Sequence, residues 1–371
     1  MLIERLHLTD FRNYQKLELI IEKNITIFIG NNAQGKTNIL ESIYLLATGR
    51  SHRTSKDQEL LRWNYPFFKV QANFVRRGSK HSLEYRFIEE TKKKTIYLDG
   101  IESKTKDIIG EITTVFFSPE DLQLVKGMPA LRRRFIDMEI SQVNPAYFRY
   151  LQQYNRILLQ RNNTLRMIRE RKQNEKLLDI WDIQIAEIGA KIVLKRIEAI
   201  KKLAILARLM HRKITDGKEE LNLQYESRCP YIEFPDQSKT IIEQELLKFR
   251  KQDILKASTS IGPHRDDLSF MVNGINLKIY GSQGQQRTGV LALKLAELEY
   301  MKSETGEYPV LLLDDVLSEL DEQRRKYLVE TIKDRVQTLI TTTEINNLDI
   351  PLSKAEVVYV ESGHIRREKY V

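Results

Sequence analysis

Eight residues constrain this chain more than any others: Gly30-Asn31-Asn32-Ala33-Gln34-Gly35-Lys36-Thr37, which read G-x-x-x-x-G-K-T. The residues before them, Ile25-Thr26-Ile27-Phe28-Ile29, are β-branched and apolar, as a buried parallel strand requires. Those after, Thr37 to Leu46, have helical spacing. Strand, glycine loop and helix in that order form a phosphate cradle. The glycines let the backbone curl so that N–H groups point inward, and the helix N-terminus adds positive potential. In such a loop Lys36 reaches the β- and γ-phosphates, and the Thr37 hydroxyl is placed to ligate Mg²⁺. A chance glycine turn containing Lys-Thr is the plainer alternative, and the flanking strand and helix weigh against it.

A second acidic element lies far along the chain. Val310-Leu311-Leu312-Leu313-Asp314-Asp315 reads as a buried strand ending in two carboxylates. Such a pair is costly without a cation. Asp314 is therefore the candidate Mg²⁺ acid, and Asp315 the group that orients or deprotonates an attacking water. Lys36, Asp314 and Asp315 form the candidate catalytic set. Upstream, Ser282-Gln283-Gly284-Gln285 opens a long apolar helix and offers another anion-binding start. Downstream come Ser318-Glu319-Leu320-Asp321 and a strand, Thr338 to Thr343, ending in hydroxyls.

The chain has 371 residues, enough for two domains or one domain with an insertion. Formal net charge is +9, which permits a polyanionic partner without proving one. A single cysteine, Cys229, excludes an intramolecular disulfide and a cysteine-rich zinc site. No secretory signal and no long apolar run are evident, so a cytoplasmic protein without a membrane partner is expected.

Leu2 to Leu8 and Lys16 to Ile21 read as strands around the turn Phe11-Arg12-Asn13-Tyr14. From Phe67 to Leu98 the pattern is antiparallel β, with Asp99-Gly100 as a hairpin signal. Thr48-Gly49-Arg50-Ser51-His52-Arg53-Thr54 is either a phosphate-bonding loop or a solvated helix end. Between about Pro129 and Asp216 the pattern turns helical. Leu151, Tyr154, Leu158, Leu165 and Ile168 form a seam with Arg161 in its one gap, and a second helix starts near Leu178. Arg171 to Glu175 is the expected turn of an antiparallel pair. This insert carries Arg132, Arg133, Arg134, Arg149, Arg156, Arg161, Arg166, Arg169, Lys195, Arg196, Lys201 and Lys202. They form either a wet helical face or a phosphate-tracking surface. The Gly262-Pro263-His264-Arg265-Asp266-Asp267 segment reads as turn residues, with no catalysis assigned.

The phosphate loop, Ser-x-Gly-Gln, strand-end acids and Ser-x-Leu-Asp, in that order, resemble the ATP-binding-cassette ATPase heads. The chain further resembles the RecF family of bacterial recombination mediators within the SMC-like heads. The residues carrying this are Phe11-Arg12-Asn13-Tyr14, Thr48 to Thr54, Pro119 to Leu122, Gly127-Met128-Pro129 with Arg132 to Asp137, Gly262 to Leu268, Gly281 to Gln286, and Leu313 to Asp321. The resemblance implies an α/β head with an antiparallel β wing, interrupted by a helical lobe bearing a short antiparallel helix pair. Residues 1–127 and 255–371 are expected to form the head, and 128–254 the lobe.

It implies ATP and Mg²⁺ as cofactors, with Gly30, Asn31, Asn32, Ala33, Gln34, Gly35, Lys36 and Thr37 on the nucleotide, joined by Arg12 and Arg50. Thr37 and Asp314 hold the metal. Ser282, Gly284 and Gln285 act in trans across a head-to-tail homodimer. Ser318 and Asp321 form the loop after the acids, and Thr341 and Thr342 occupy the switch position. A weak DNA-stimulated ATPase follows. It would bind DNA at duplex–single-strand gaps and work with RecO and RecR to load RecA and support the SOS response. Transporter-type heads have a histidine where Thr341, Thr342 and Thr343 stand, and a glutamate where Asp315 stands, so slow turnover is expected. A transporter-energising subunit is disfavoured by the missing histidine. A long-coiled-coil scaffold is disfavoured by the short arms and the absent C-x-x-C.

Overall fold

The computed structural model describes residues 1–229, 235–344, 350 and 352–367. The chain divides into two compact units. One comprises Met1–Leu122, Met210–Lys218 and Arg287–Val371, the other Gln123–Leu209 and Glu219–Gln286.

In the first unit the phosphate-loop strand Ile25–Ile29 is buried at every residue, as is Thr338–Thr342. They are neighbours in a six-stranded sheet whose order is His364–Arg367, Ala355–Glu361, Ile25–Ile29, Thr338–Thr342, Val310–Asp314, Thr114–Phe117. All its pairings are parallel except the C-terminal hairpin between Ala355–Glu361 and His364–Arg367. Continuous apolar strands suit a parallel sheet covered on both faces.

The second six-stranded sheet is antiparallel and built from Leu2–Phe11, Tyr14–Ile20, Phe67–Arg76, Ser79–Ile88, Lys93–Leu98 and Ile101–Ser103. Phe67–Arg76 alternates between buried and less buried residues, which is how a one-sided sheet meets a core. Its turns are tight. Arg77 and Gly78 have φ of 49° and 78°, and Asp99 and Gly100 have 50° and 80°, the left-handed pair that a two-residue hairpin demands. One apolar core joins this sheet (Leu6, Leu8, Phe68, Tyr85) to the helix Lys36–Thr48 (Ile39, Ile43, Leu46) and to the parallel sheet (Phe28, Leu312, Leu339). The antiparallel wing is therefore what fixes the loop helix against the sheet.

The second unit contains helices Pro129–Val143 and Pro145–Arg169, most of Leu177–Ile214, and Pro235–Lys256. It also has a three-stranded sheet, in which Asp267–Val272 pairs antiparallel with Leu221–Glu226. That pairing ties residues 257–286 to the lobe, whereas the sequence reading placed everything after 254 in the head. Arg171, at φ 61°, turns the chain between the two long helices.

Arg161 explains the break in the helical seam. Its side chain is fully buried, donating to Asp182 Oδ1 at 2.7 Å, Asp253 Oδ2 at 2.8 Å and Thr259 Oγ1 at 2.9 Å. Asp182 also accepts from Arg250 at 2.6 Å. Arg132 and Arg196 are likewise buried. Each grips an aspartate with two nitrogens, Asp267 at 2.7 and 2.8 Å and Asp137 at 2.9 and 2.9 Å. Arg132, Arg161 and Arg196 are thus ion-pair residues of the interior and leave the set of surface cations.

The Gly262-to-Asp267 segment is part of the same polar interior. Asp266 accepts from Tyr225 Oη at 2.5 Å and Ser227 Oγ at 3.0 Å, and Pro263 O accepts from Arg196 at 2.6 Å. His264 Nδ1 lies 2.7 Å from Tyr154 Oη, and burial lowers its pKa to about 4.

Removing one member of a buried ion cluster leaves uncompensated charge. Arg161→Met is predicted to destabilise the lobe by about 3–5 kcal/mol, while Arg156→Met, on the exposed face, changes stability by less than about 0.5 kcal/mol. Urea unfolding followed by Trp181 fluorescence in a Trp63→Phe background measures both, since the chain has two tryptophans.

Candidate phosphate-binding site

The phosphate loop is shaped by residues outside it. Ala33 and Gly35 have φ of 64° and 112°, and Gly35 caps the helix Lys36–Thr48 in the left-handed region. A Cβ on Gly35 would lie 2.5 Å from the Asn13 amide, and one on Gly30 would collide with the Val360 carbonyl. Asn13 Nδ2 donates to Gln34 O at 2.8 Å, and Tyr14 Oη donates to Gly35 O at 3.0 Å. Asn38 Nδ2 in turn holds Asn13 Oδ1 at 2.8 Å. The Phe11-to-Tyr14 turn is therefore a clamp on the loop.

Lys36 folds back over the cradle, its Nζ 2.6 Å from Gly30 O and 2.8 Å from Asn31 O. Burial lowers its pKa, and Asp315 and Asp314 oppose that shift. The strand-end acid comes to the loop across adjacent parallel strands. Asp314 Oδ1 accepts from Thr37 Oγ1 at 2.8 Å and from Thr341 Oγ1 at 2.7 Å. Thr341 Oγ1 also accepts from the Asp315 backbone N–H at 3.0 Å. Asp315 has a left-handed φ of 53°. Burial raises its pKa, opposed by the Ser318 hydrogen bond and by Lys36.

Lys36, Thr37, Asp314, Asp315 and Thr341 are thus brought together. Thr342 is not. Its hydroxyl is shared with the backbone of Glu344, donating to the carbonyl at 3.0 Å and accepting from the N–H at 3.3 Å. Ser318 Oγ donates to Asp315 O at 2.7 Å, and Asp321 caps the helix Glu322–Ile332 by accepting from Arg324 N at 2.9 Å.

Arg12 and Arg50 differ. Arg12, at φ 55°, spends its guanidinium on Glu41, at 2.9 and 2.8 Å, and on Glu59 O at 2.7 Å. Arg50 is exposed. Glu41, which sequence reasoning missed, is the hub. It is fully buried one helical turn past Thr37 and also accepts from Ser51 Oγ at 2.5 Å and from Arg53. Burial alone would raise its pKa, but hydrogen bonds from Arg12, Arg53 and Ser51 overcome this and bring it down to about 2. Its signal was being the single carboxylate of the helix Lys36–Thr48. His52 sits beside this hub, its ring centroid 4.2 Å from Phe116 and 5.6 Å from Tyr44.

Ser282, Gly284 and Gln285 lie on the other compact unit. Ser282 is exposed and forms a capping box. Its Oγ accepts from Gln285 N at 3.2 Å, while Gln285 Oε1 accepts from Ser282 N at 2.9 Å. The helix it starts, Gln283–Thr305, presents its N-terminus there.

The donors around Asp314 are all oxygens, and no cluster of three or more His, Cys, Asp or Glu able to hold a metal exists among the described residues. A hard dication held by one carboxylate, one hydroxyl and phosphate oxygens fits this arrangement; a cation without phosphate does not. Among the described residues no helix is long and apolar enough to cross a membrane.

Residues 2–365 match the family described as RecF/RecN/SMC N terminal domain. A solved SMC head bound to the C-winged helix domain of ScpA shares the fold, with TM-score 0.58 at 15% identity over 99% of this chain and 96% of that one. The molecule is a member of the SMC-like, ATP-binding-cassette class of heads. The match narrows from there. The DNA replication and repair protein RecF of Halothermothrix orenii is 48% identical over 375 residues, covering 100% of both chains. A solved structure of the recombination mediator RecF with ATP superposes at TM-score 0.92 and 34% identity, over 99% of this chain and 98% of that one. The chain belongs to the RecF family.

Burial lowers the His52 pKa from 6.5 to about 4, with Glu41 opposing. Between those values the unfolded chain binds a proton that the folded chain refuses. Stability from this group is therefore complete above about pH 6.5 and falls as pH drops towards 4, by about 3 kcal/mol at most. The His52 ring signals in NMR are predicted to titrate near pH 4, and His52→Gln to flatten that part of the stability profile. A midpoint near 6.5 would contradict the burial.

Proposed function

We propose that this chain is an ATP-dependent DNA-binding protein of DNA replication and recombinational repair. One observation carries the reading: Thr37 of the phosphate loop and Thr341 of the neighbouring strand converge on one oxygen of Asp314. This convergence of three sequence-distant segments supports a nucleotide-and-cation site. Mg²⁺, when bound with ATP, would neutralise charge across the β- and γ-phosphates. Thr37 and Asp314 would hold it. Lys36 exchanges its two loop carbonyls for phosphate oxygens. Asp315 orients the attacking water, its carboxylate steadied by Ser318, and Thr341 keeps both acids in register. A shorter acid than the glutamate of transporter heads, on a backbone tied to Thr341, favours slow hydrolysis.

Ser282, Gly284 and Gln285 complete the site in trans. ATP then joins two copies head to tail, and hydrolysis releases them. The exposed helix start with its serine outward supports this arrangement. The dimer binds DNA without sequence preference at duplex–single-strand gaps and acts with RecO and RecR to load RecA and support SOS induction. Of the basic residues on the helix Pro145–Arg169, Arg149, Arg156, Arg166 and Arg169 remain exposed, which leaves them available to phosphates.

DNA affinity measured across a salt series tests this. ATP is expected to tighten binding, with affinity falling by a slope of roughly −0.9 per duplex phosphate neutralised. Lys36→Met should remove the ATP effect while leaving the salt slope of the residual binding unchanged. DNA binding indifferent to both ATP and salt would contradict the proposal.

A further inference from the structure

The clamp on the phosphate loop has a second jaw, at the far end of the chain. The C-terminal hairpin joins Ala355–Glu361 to His364–Arg367 through the turn Ser362-Gly363. Gln34 is fixed from that turn at both ends. Its side-chain Oε1 accepts from Ser362 N at 2.6 Å and from Ser362 Oγ at 3.4 Å, and its backbone carbonyl accepts from Gly363 N at 3.2 Å. The same carbonyl takes the Asn13 amide at 2.8 Å.

The approach is close enough to exclude side chains. Gly363 has φ of 78°, and a Cβ there would lie 2.5 Å from Asn13 O. Ser362 also has a left-handed φ, 47°, so the pair forms the ordinary two-residue hairpin turn, here set directly against the phosphate loop. The hydrogen bond through Ser362 N is exposed, at the edge of an open cleft lined by Gly30, Asn31, Gln34, Tyr359, Ser362 and Arg366. The hairpin's core residues, Val358 and Val360, lie on its first strand, and the exposed Ser362 lies outside the apolar core. The Gln34 side chain points to this turn and leaves the cradle to backbone N–H groups.

We propose that Ser362-Gly363 is a positioning element of the nucleotide site: through Gln34 it holds the phosphate loop open for ATP. This rests on the reading of that loop as an ATP site. It ties nucleotide affinity to a hairpin about 330 residues away in sequence, since Ser362 and Gln34 are 328 apart. Anything that displaces the C-terminal hairpin would loosen ATP without touching Lys36, Thr37 or the strand-end acids.

The test is a double-mutant cycle on the full chain. Gln34→Met keeps the length of the side chain and removes the acceptor, and Gly363→Ala pushes the turn off Asn13. Steady-state ATPase with Mg²⁺ gives KM and kcat, and thermal unfolding without nucleotide checks the fold. Each single variant is expected to raise KM roughly three- to tenfold, the worth of about one hydrogen bond, with kcat within about twofold. Gly363→Ala displaces the whole turn, its bond to the Gln34 side chain included, so the double variant should be no worse than Gly363→Ala alone. Effects that multiply, or a Gln34→Met KM equal to wild type, would overturn the latch, and Gln34→Met alone decides if Gly363→Ala does not fold. Lys36→Met is the separate control. If it hydrolyses ATP as wild type does, the ATP-site reading itself fails, whatever the latch variants do.

Discussion

A loop that binds phosphate with its backbone has no side chains to spare for holding its own shape. Here Ala33 and Gly35 take left-handed conformations, and the inward N–H groups gain nothing until an anion arrives. Such a loop must be propped from outside. Asn13 and Tyr14 do this from the antiparallel wing, and Val360, Ser362 and Gly363 from the C-terminal hairpin. The first and last strands of the unit thus meet at one loop. The wing is ordered by its own apolar face, so the core that folds the head also aims the cradle.

The second constraint is electrostatic. Asp314 stands at the end of a buried strand and is kept in place by two hydroxyls on one oxygen. Glu41, deeper in the helix, is neutralised by Arg12 and Arg53 and leaves the cradle free of its charge. These carboxylates have opposite tasks. Glu41 is saturated with cations and structural, whereas the hydrogen bonds to Asp314 come from two neutral hydroxyls. Arg12 belongs with Glu41, and its backbone neighbours Asn13 and Tyr14 belong with the loop.

The parallel sheet, the antiparallel wing and the meeting of Thr37 with Asp314 were legible because each follows from a local pattern. Continuous β-branched runs mark buried strands, Asp99-Gly100 marks a hairpin, and G-x-x-x-x-G-K-T has one known backbone use. What could not be read was which charged residues are inside. Arg132, Arg161 and Arg196 look like surface cations one at a time, and only the fold brings Asp267, Asp182, Asp253 and Asp137 to them. The same holds for Ser362-Gly363, an ordinary hairpin turn until it is seen against Gln34. The lobe boundary near residue 287 was also hidden, because it depends on Asp267–Val272 pairing backwards with Leu221–Glu226.

The central claim is that the nucleotide site is shared between two copies of the chain. Solution mass by light scattering, with ATP, with ADP and without nucleotide, tests it most directly on wild type, Lys36→Met and Ser282→Arg. The account predicts dimers for wild type with ATP alone, and monomers for both variants in every condition. A mass that ignores nucleotide, or a Ser282→Arg variant that dimerises as wild type does, would contradict it and confine ATP to a single copy.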